Sequence, residues 1–323
     1  MNYSNKNIVL LGGNFAINVI GEVLLSLNHN ITHISSSKKD FKHYHLLDKN
    51  IFIIAIPPAK NLSFFVNALT NKHTKVFIEK PLSNDLVSSY QIKDICFKKN
   101  IKLFIDYSFN FLESFKFLFT QLKINHEKVL TYEFEWNTQT KQKNFKNNWK
   151  HLSPLGGGGL YNYISHIISV LVINFNDVSI VDAKLCNKHL DNCIFNDTHG
   201  NIIFKHFGGI SGSIKYDIFS NNSLFAFNIV TKQNTYKISN EEKDFFSKFI
   251  VKKNNKTIYT EDNSKYKDAR IAPIQASISS FLLEDHMFEK LNIDHALSVQ
   301  NILYYIQLSS SKRKELYVNS FKN

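Results

Sequence analysis

The apolar positions of this chain fall into short blocks that alternate in kind. Asn7–Leu11, NIVLL, is a short continuous apolar run; GGNFA breaks it, and INVIGEVLLSLN then carries apolar residues at helical spacing. The pattern predicts strand, glycine turn, helix. NITHISSS reads as a second strand, and NIFIIAIPP as a third that Pro57 and Pro58 end, because proline cannot continue a central strand. NLSFFVNALTNK has helical spacing, TKVFIEKPL is another buried strand, VSSYQIKDICFKKN a helix and IKLFIDYSF a strand. Strands alternating with short helices predict βαβ units around a parallel sheet, and a run such as IFIIAI fits burial on both faces.

After about Tyr107 the rhythm changes. LESFKFLFTQLK is a helix, and KVLTYEFEWNTQT alternates like a half-buried strand. A glycine-rich stretch, PLGGGGLYNYISH, opens a further helix to about Asn174. SIVDAKLCNKH, CIFNDTHGNIIFKHF, ISGSIKYDIFS, LFAFNIVTKQNTYKISN and KTIYTED read as consecutive strands, hence a mostly antiparallel sheet. PIQASISSFLLEDHMFEK and IDHALSVQNILYYIQLSSSKRK are closing helices. The expected architecture is α/β: an N-terminal Rossmann dinucleotide-binding domain over 1–106, then an α+β domain over 107–323 built on a large, open, mostly antiparallel sheet. The second domain is expected to bind substrate and to carry oligomer contacts. Its closing helix, about 294–312, can return to the first domain.

A length of 323 residues suits two domains with separate cores, and 43% hydrophobic content is that of a globular chain. The apolar runs are far too short to span a bilayer, and residues 1–30 lack the order of a signal peptide. Three cysteines, Cys96, Cys186 and Cys193, make neither an even disulfide set nor a metal-spaced cluster. These features predict a soluble cytoplasmic protein with no metal and no membrane contact. The formal charge of +12 invites a nucleic-acid reading, but the lysines are scattered and the chain is equally rich in Asn, Ile and Phe. A codon bias towards A and T yields that mixture, no nucleic-acid motif accompanies it, and a solvated basic surface is the expected outcome.

Chemistry concentrates at three places. LLGGNFA lies where a dinucleotide fold puts its phosphate loop, with Gly12, Gly13, Asn14, Phe15 and Ala16 at the first strand–helix junction. The fingerprint is degenerate, and a plain tight turn explains it about as well. The second strand ends in Ser35, Ser36 and, soon after, Lys38 and Lys39, where NAD-binding folds commonly offer an acid to the ribose. Hydroxyls and lysines there would welcome a 2′-phosphate, which favours NADP(H) over NAD(H). Ile56 and Pro57 end the third strand and face the same crevice. In FIEKPLS, Glu79 and Lys80 follow a buried strand directly. A lysine so placed can hydrogen-bond a substrate hydroxyl and shuttle its proton; the alternative is an ordinary surface pair. His166 taken alone reads as a core histidine.

The combination IAIPPAKN…ALTNKHTKVFIEKPLS followed by W…GGGGLYNYISH resembles the Gfo/Idh/MocA oxidoreductases (glucose–fructose oxidoreductase, inositol dehydrogenase and relatives), and the resemblance spans nearly the whole chain. It implies an NAD(P)-dependent oxidoreductase that moves a hydride between nicotinamide and a hydroxyl or keto carbon of a sugar, cyclitol or nucleotide-linked sugar. It further implies that Lys80, His166 and Asn162 form the catalytic group. The glycines are read as clearing side chains where substrate packs against backbone. Trp149 and Lys150 are candidates for the substrate face, packing being the alternative for Trp149. A homodimer or homotetramer through the C-terminal sheet is the family expectation. The chain departs from the pattern at Asn162, where an acid is usual, at Ile164, at Ser169, and at Ser108, where an arginine is common. These departures keep open a second reading, a non-catalytic NAD(P)-binding sensor or regulatory subunit.

Overall fold

Residues 6–35, 51–69, 74–139, 149–151, 155–186, 189–190, 193–194, 197–240 and 245–318 are described by a computed structural model. The chain divides into two compact units. Met1–Ser108, Pro154–Gly156 and Arg270–Gln300 form the first; Phe109–Ser153, Gly157–Ala269 and Asn301–Asn323 form the second.

The first unit is built on five strands, β1 (Asn7–Gly12), β2 (Asn30–Ser35), β3 (Ile51–Ala55), β4 (Lys75–Glu79) and β5 (Lys102–Asp106), in the order β2-β1-β3-β4-β5. Every pairing is parallel. The runs that predicted these strands supply the core: Ile8, Ile53, Ile54, Val76, Phe77, Ile78, Phe104 and Ile105 are fully buried, as a parallel sheet covered on both faces requires. The connecting helices are α1 (Glu22–Ser26), α2 (Asn61–Asn67) and α3 (Leu86–Lys98). Chain from much further on completes this core. The Phe281 ring meets Phe77 edge-on at 5.5 Å, and Phe288 stacks on Phe104 at 5.9 Å. The segment expected as one helix is two, α6 (Ile271–Leu283) and α7 (His286–Lys290). The break is at Glu284, which takes φ +53°, and at Asp285, whose carboxylate accepts the Met287 and Phe288 N–H groups as an N-cap. The Glu284 carboxylate then reaches Lys75 at 2.8 Å and Lys102 at 2.6 Å, tying this turn to the starts of β4 and β5.

The second unit carries nine strands in the order β15-β14-β13-β12-β6-β11-β10-β7-β16. They are β6 (Val129–Gln139), β7 (Val178–Cys186), β10 (His199–His206), β11 (Ser211–Asp217), β12 (Phe219–Thr231), β13 (Thr235–Asn240), β14 (Lys248–Lys253), β15 (Lys256–Asp262) and β16 (Leu316–Tyr317). A separate two-stranded piece joins β8 (His189–Leu190) to β9 (Cys193–Ile194). The sheet is antiparallel except for β6 and β11, which run parallel at its centre. Period-2 alternation decides its faces: Tyr132, Phe134 and Trp136 of β6 are buried, and the alternate residues Thr131 and Glu133 are exposed. Helices α4 (Glu113–Ile124) and α5 (Ser165–Phe175) cover the buried face, with Phe115 stacked on Phe227 at 5.6 Å and Phe175 on Tyr132 at 5.4 Å. Helix α8 (Ile293–Lys312) begins in the first unit and ends in the second, where Ser309 and Ser310 hydroxyls accept the Ala183 and Leu185 N–H groups. Those bonds and β16 cover what would be an open edge on β7. Among the described residues no helix is long and apolar enough to cross a membrane.

Candidate functional site

The first unit gathers one set of residues at the C-terminal ends of its strands. The strand order reverses between β1 and β3, and ligands of open α/β sheets bind at that crevice. Gly12 ends β1 and Gly13 turns the chain into a helix that starts at Asn14 and Phe15. Its next residues, Ala16–Gly21, form a π-turn before α1. A Cβ at Gly12 would lie 2.5 Å from the Ala16 Cβ and 2.8 Å from the Ala55 carbonyl oxygen. Only glycine allows β1, β3 and the helix to come this close. Ser35 ends β2 opposite Gly12, and the His33 ring bonds the Gly12 carbonyl at 3.1 Å. Ser36, Lys38 and Lys39 lie outside the described residues. Ile56 and Pro57 follow β3 immediately, and Pro58 opens a short 3₁₀ turn into α2. The Arg270 guanidinium sits 5.0 Å from the centre of the Phe15 ring, a cation against the first turn of the helix.

Lys80 follows β4 and is 5% exposed. Its loop is pinned from two sides: the buried Asn61 amide donates to the Leu82 carbonyl at 2.9 Å, and the buried Gln300 amide donates to the Ser83 carbonyl at 3.2 Å. The Lys80–Pro81 peptide is cis. Glu79 pairs in register with Asp106 at the end of β5, which puts two carboxyls side by side on the same face. Asp106 is 2% exposed and accepts the Ser277 hydroxyl at 2.7 Å. Burial, then repulsion from Glu79, push its acid up to about 8; the Ser277 bond and the Lys80 charge pull the other way. The acid is thus largely protonated at neutral pH. Next to it, burial and the Glu79 charge raise the Tyr107 phenol, and the Tyr107 ring meets His295 edge-on at 5.7 Å. Burial holds His295 down to about 4, so that imidazole is neutral.

The second unit holds the other set. Leu160–Ile164 is a π-turn, and α5 continues it from Ser165. Asn162 is half-buried in the turn and His166 is 7% exposed in the first turn of α5. The His166 ring stacks on Phe109 at 4.6 Å, with 11° between planes. Phe109 packs in turn against Trp136 of β6 at 5.4 Å and Phe225 of β12 at 5.9 Å, so the sheet sets the plane of the imidazole. Three residues on, Ser169 accepts the Asn110 amide at 2.8 Å in a fully buried bond. Of the positions singled out in the sequence, Ser169 is bonded to Asn110, and Ser108 and Ile164 are buried.

The glycine run has a different occupant from the one expected. Gly158 takes φ +95° and Gly156 φ +84°, conformations that suit glycine. A Cβ at Gly158 would strike the Asp197 carboxylate, one at Gly159 the Tyr216 ring, and one at Gly157 the main chain of Trp149 and Lys150. Protein atoms, and not an open space for substrate, lie where those side chains would be. Trp149 and Lys150 are half-buried and reach the glycines through their backbone. Asp197 is the residue that the sequence did not bring out. It is 2% exposed, accepts the Tyr216 hydroxyl at 2.7 Å and also the Leu160 N–H, while its own carbonyl accepts the Gly159 N–H at 3.0 Å. Burial pushes its acid up to about 7, and those donors offset part of the rise.

No family model and no curated protein matches the chain by sequence. Solved structures match it from end to end. An oxidoreductase from Thermotoga maritima gives a TM-score of 0.80 at 15% identity, covering 98% of this chain and 99% of that one. Levoglucosan dehydrogenase, in complex with NADH and L-sorbose, gives 0.77 at 15% identity over 99% and 100% of the two chains. The WlbA dehydrogenase from Bordetella pertussis, in complex with NADH and UDP-GlcNAcA, gives 0.78 at 13% identity over 98% and 100%. The chain has the fold of these oxidoreductases.

A nicotinamide dinucleotide fits the first unit of that fold on three counts. The Gly12–Gly13 turn leaves no side chain between strand and helix, a helix N-terminus follows at Asn14, and Arg270 adds a cation beside it. Gly12, Gly13, Asn14, Phe15, Ala16, Ile56, Pro57, Glu79 and Lys80 all fall at the strand ends of this unit. Asn162, His166, Trp149 and Lys150 belong to the second.

Proposed function

We propose that the chain is an NAD(P)-dependent oxidoreductase acting on a hydroxyl or keto carbon of a sugar, cyclitol or nucleotide-linked sugar. The observation that carries this reading is Lys80: a buried lysine at a strand end beside the crevice, its loop pinned by Asn61 and Gln300. Structural neighbours that bind NADH with a sugar or a nucleotide sugar support it. A dinucleotide held by its pyrophosphate at the glycine turn would supply or take up the hydride through its nicotinamide. Lys80 donates a proton to the nascent alkoxide in the reducing direction and receives it in oxidation. Beside it stand Glu79 and Asp106; burial and the Glu79 charge push the Asp106 acid up to about 8, so that a second proton is held next to Lys80. His166 is assigned the second proton-transfer role and Asn162 the orientation of a hydroxyl; an amide can do the latter but cannot act as a base. The deciding experiment is a panel of sugars, cyclitols and nucleotide sugars, read by nicotinamide absorbance with each cofactor. No turnover on any of them, in protein that binds the cofactor, would overturn the reading.

The finer cofactor assignment is NADP(H). Its support is the sequence after β2, Ser35, Ser36, Lys38 and Lys39, which lacks an acid and carries two lysines. Titration by intrinsic fluorescence at matched ionic strength should give tighter binding of NADPH than of NADH. Equal affinities, or a preference for NADH, would remove the 2′-phosphate role.

The assembly we propose is a homodimer or homotetramer through the outer face of the nine-stranded sheet. That face presents Glu133 and Glu135 on β6 beside Lys215 on β11, charges of both signs that a second copy can pair. Light scattering on a size-exclusion column should give a multiple of the chain mass of 37.4 kDa, shifted towards monomer by salt. A single-chain mass at low salt would sink the proposal.

A further inference from the structure

We infer that Asp197 is a positioning residue for the reaction: it fixes the start of the helix that carries Asn162 and His166, and Gly158 and Gly159 leave the space that its carboxylate and Tyr216 fill. The inference rests on the oxidoreductase reading above and adds to it a residue remote in sequence from the glycine run.

The argument starts with what holds Asp197 itself. It lies two residues before β10, a strand paired on both sides, with β7 and with β11. The Thr198 N–H donates to the Cys186 carbonyl at 2.9 Å, and the Ile218 N–H donates to the Thr198 carbonyl at 2.9 Å. Asp197 is therefore mounted on three adjacent strands of the rigid sheet. From there it makes three bonds to groups that determine the helix start. Its carbonyl takes the Gly159 N–H and its carboxylate takes the Leu160 N–H, two of the donors that a helix leaves unsatisfied in its first turn. Its carboxylate also takes the Tyr216 hydroxyl from β11. The carboxylate is thus fixed between the sheet and the turn, and it cannot follow the turn if the turn moves.

Space makes the same point. Gly158 and Gly159 have their Cβ directions occupied by the Asp197 carboxylate and the Tyr216 ring, so a side chain at either would displace the aspartate or the helix start. Two residues beyond Leu160 is Asn162, and six beyond it is His166. From Leu160 this helix is a π-turn, whose wider i→i+5 bonding is frequent at functional sites. Such a turn needs outside support because its first N–H groups have no partner in the helix. Asp197 supplies that support from the sheet that also orients the His166 ring through Phe109. Helix start and imidazole plane are then referred to one frame, which is the condition for holding a reacting geometry within a fraction of an ångström.

The test compares wild type with Asp197→Ala, Asp197→Asn and Tyr216→Phe by amide hydrogen exchange and by turnover on whichever substrate the panel identifies. In Asp197→Ala the amides of 159–166 should exchange at least about tenfold faster, with α4 unchanged. Turnover kcat should fall by about the same factor, with KM moved less than about threefold, since positioning is lost and not binding. Asp197→Asn keeps an acceptor oxygen of the same size and should restore most of both. Tyr216→Phe keeps the fold and should give a smaller change of the same kind. If Asp197→Ala leaves 159–166 as protected as in wild type, or loosens α4 equally, the residue has no local positioning role. Faster exchange with unchanged kcat overturns the link to the reaction, and so does failure of Asp197→Asn to restore kcat. Should the Ala variant not fold, the Asn and Phe variants decide alone. If wild type turns over nothing, it is the oxidoreductase reading that fails, and the exchange arm still decides whether Asp197 sets this turn.

Discussion

Lys80→Met should lower turnover at least about a hundredfold, within the range for a lost acid–base group, in protein that still folds and still binds the nicotinamide cofactor. Methionine keeps much of the length of the lysine stem and removes the ammonium. The backbone around it is held by bonds that do not involve its side chain, from Asn61 to the Leu82 carbonyl and from Gln300 to the Ser83 carbonyl. The fold should therefore survive the change. His166→Ala makes the companion measurement: it deletes a ring stacked on Phe109 and should abolish turnover while leaving cofactor affinity nearly intact. Near-normal turnover in a folded Lys80→Met protein would falsify the catalytic assignment. Retained activity in His166→Ala would return that histidine to a packing role.

The second large effect is on stability. Asp106 is buried beside Glu79, and its acid is pushed up to about 8 against an ordinary value of 3.8. A carboxyl raised on folding favours the folded state fully only below its unfolded value. Its contribution is lost as pH climbs from about 4 to about 8, because over that window the unfolded chain releases a proton that the folded chain retains. Asp106→Asn mimics the protonated acid and keeps an oxygen for the Ser277 hydroxyl. It should stabilise the protein at pH 8 by on the order of 5 kcal/mol, and by little at pH 4. Urea melts at pH 4, 6 and 8 check this. A variant that is destabilised equally at all three would mean that Asp106 acts as an ionised acceptor. At neutral pH the wild-type arrangement sacrifices stability to keep a proton beside Lys80, the kind of strain that functional sites retain.

The parallel sheet was legible because its strands are short, continuous and β-branched, with glycine or proline at their ends. IFIIA stopped by Pro57 and Pro58 is the clearest. The second sheet was legible in outline, but KFIVKK does not announce itself as a strand. Only Phe249 and Val251 of β14 are fully buried, and three lysines dilute the alternation. The α6–α7 break was hidden because apolar spacing continues through it; the signal was Asp285, a good N-cap set inside an apolar stretch. The parallel β6–β11 pair could not be read at all, since pairing between strands far apart in sequence leaves no local pattern. The chemistry divides in the same way. Gly12, Lys80 and His166 are marked by their immediate neighbours along the chain. Asp197 meets Leu160 from 37 residues away, and nothing in NDTHGN distinguishes it from a turn aspartate. The glycines were correctly singled out as a place of close approach, but the approaching group was an internal one.

Chain order has a consequence for how this molecule comes off the ribosome. The first unit contains Met1–Ser108 but is finished by Arg270–Gln300. Those late residues bring Phe281 and Phe288 onto Phe77 and Phe104, the Ser277 hydroxyl onto Asp106, and the Leu291 carbonyl onto the N–H of Ile105. Until they emerge, the nascent N-terminal segment carries an uncovered aromatic face and an unpartnered edge. Domains usually fold as they are made, N-terminal first; here the earliest-synthesised unit waits for nearly the whole chain. The second unit's segment Phe109–Ser153 appears in the interval, so the two must be sorted from one another while both are incomplete. The span of translation between Ser108 and Arg270 sets how long that aromatic face stays uncovered.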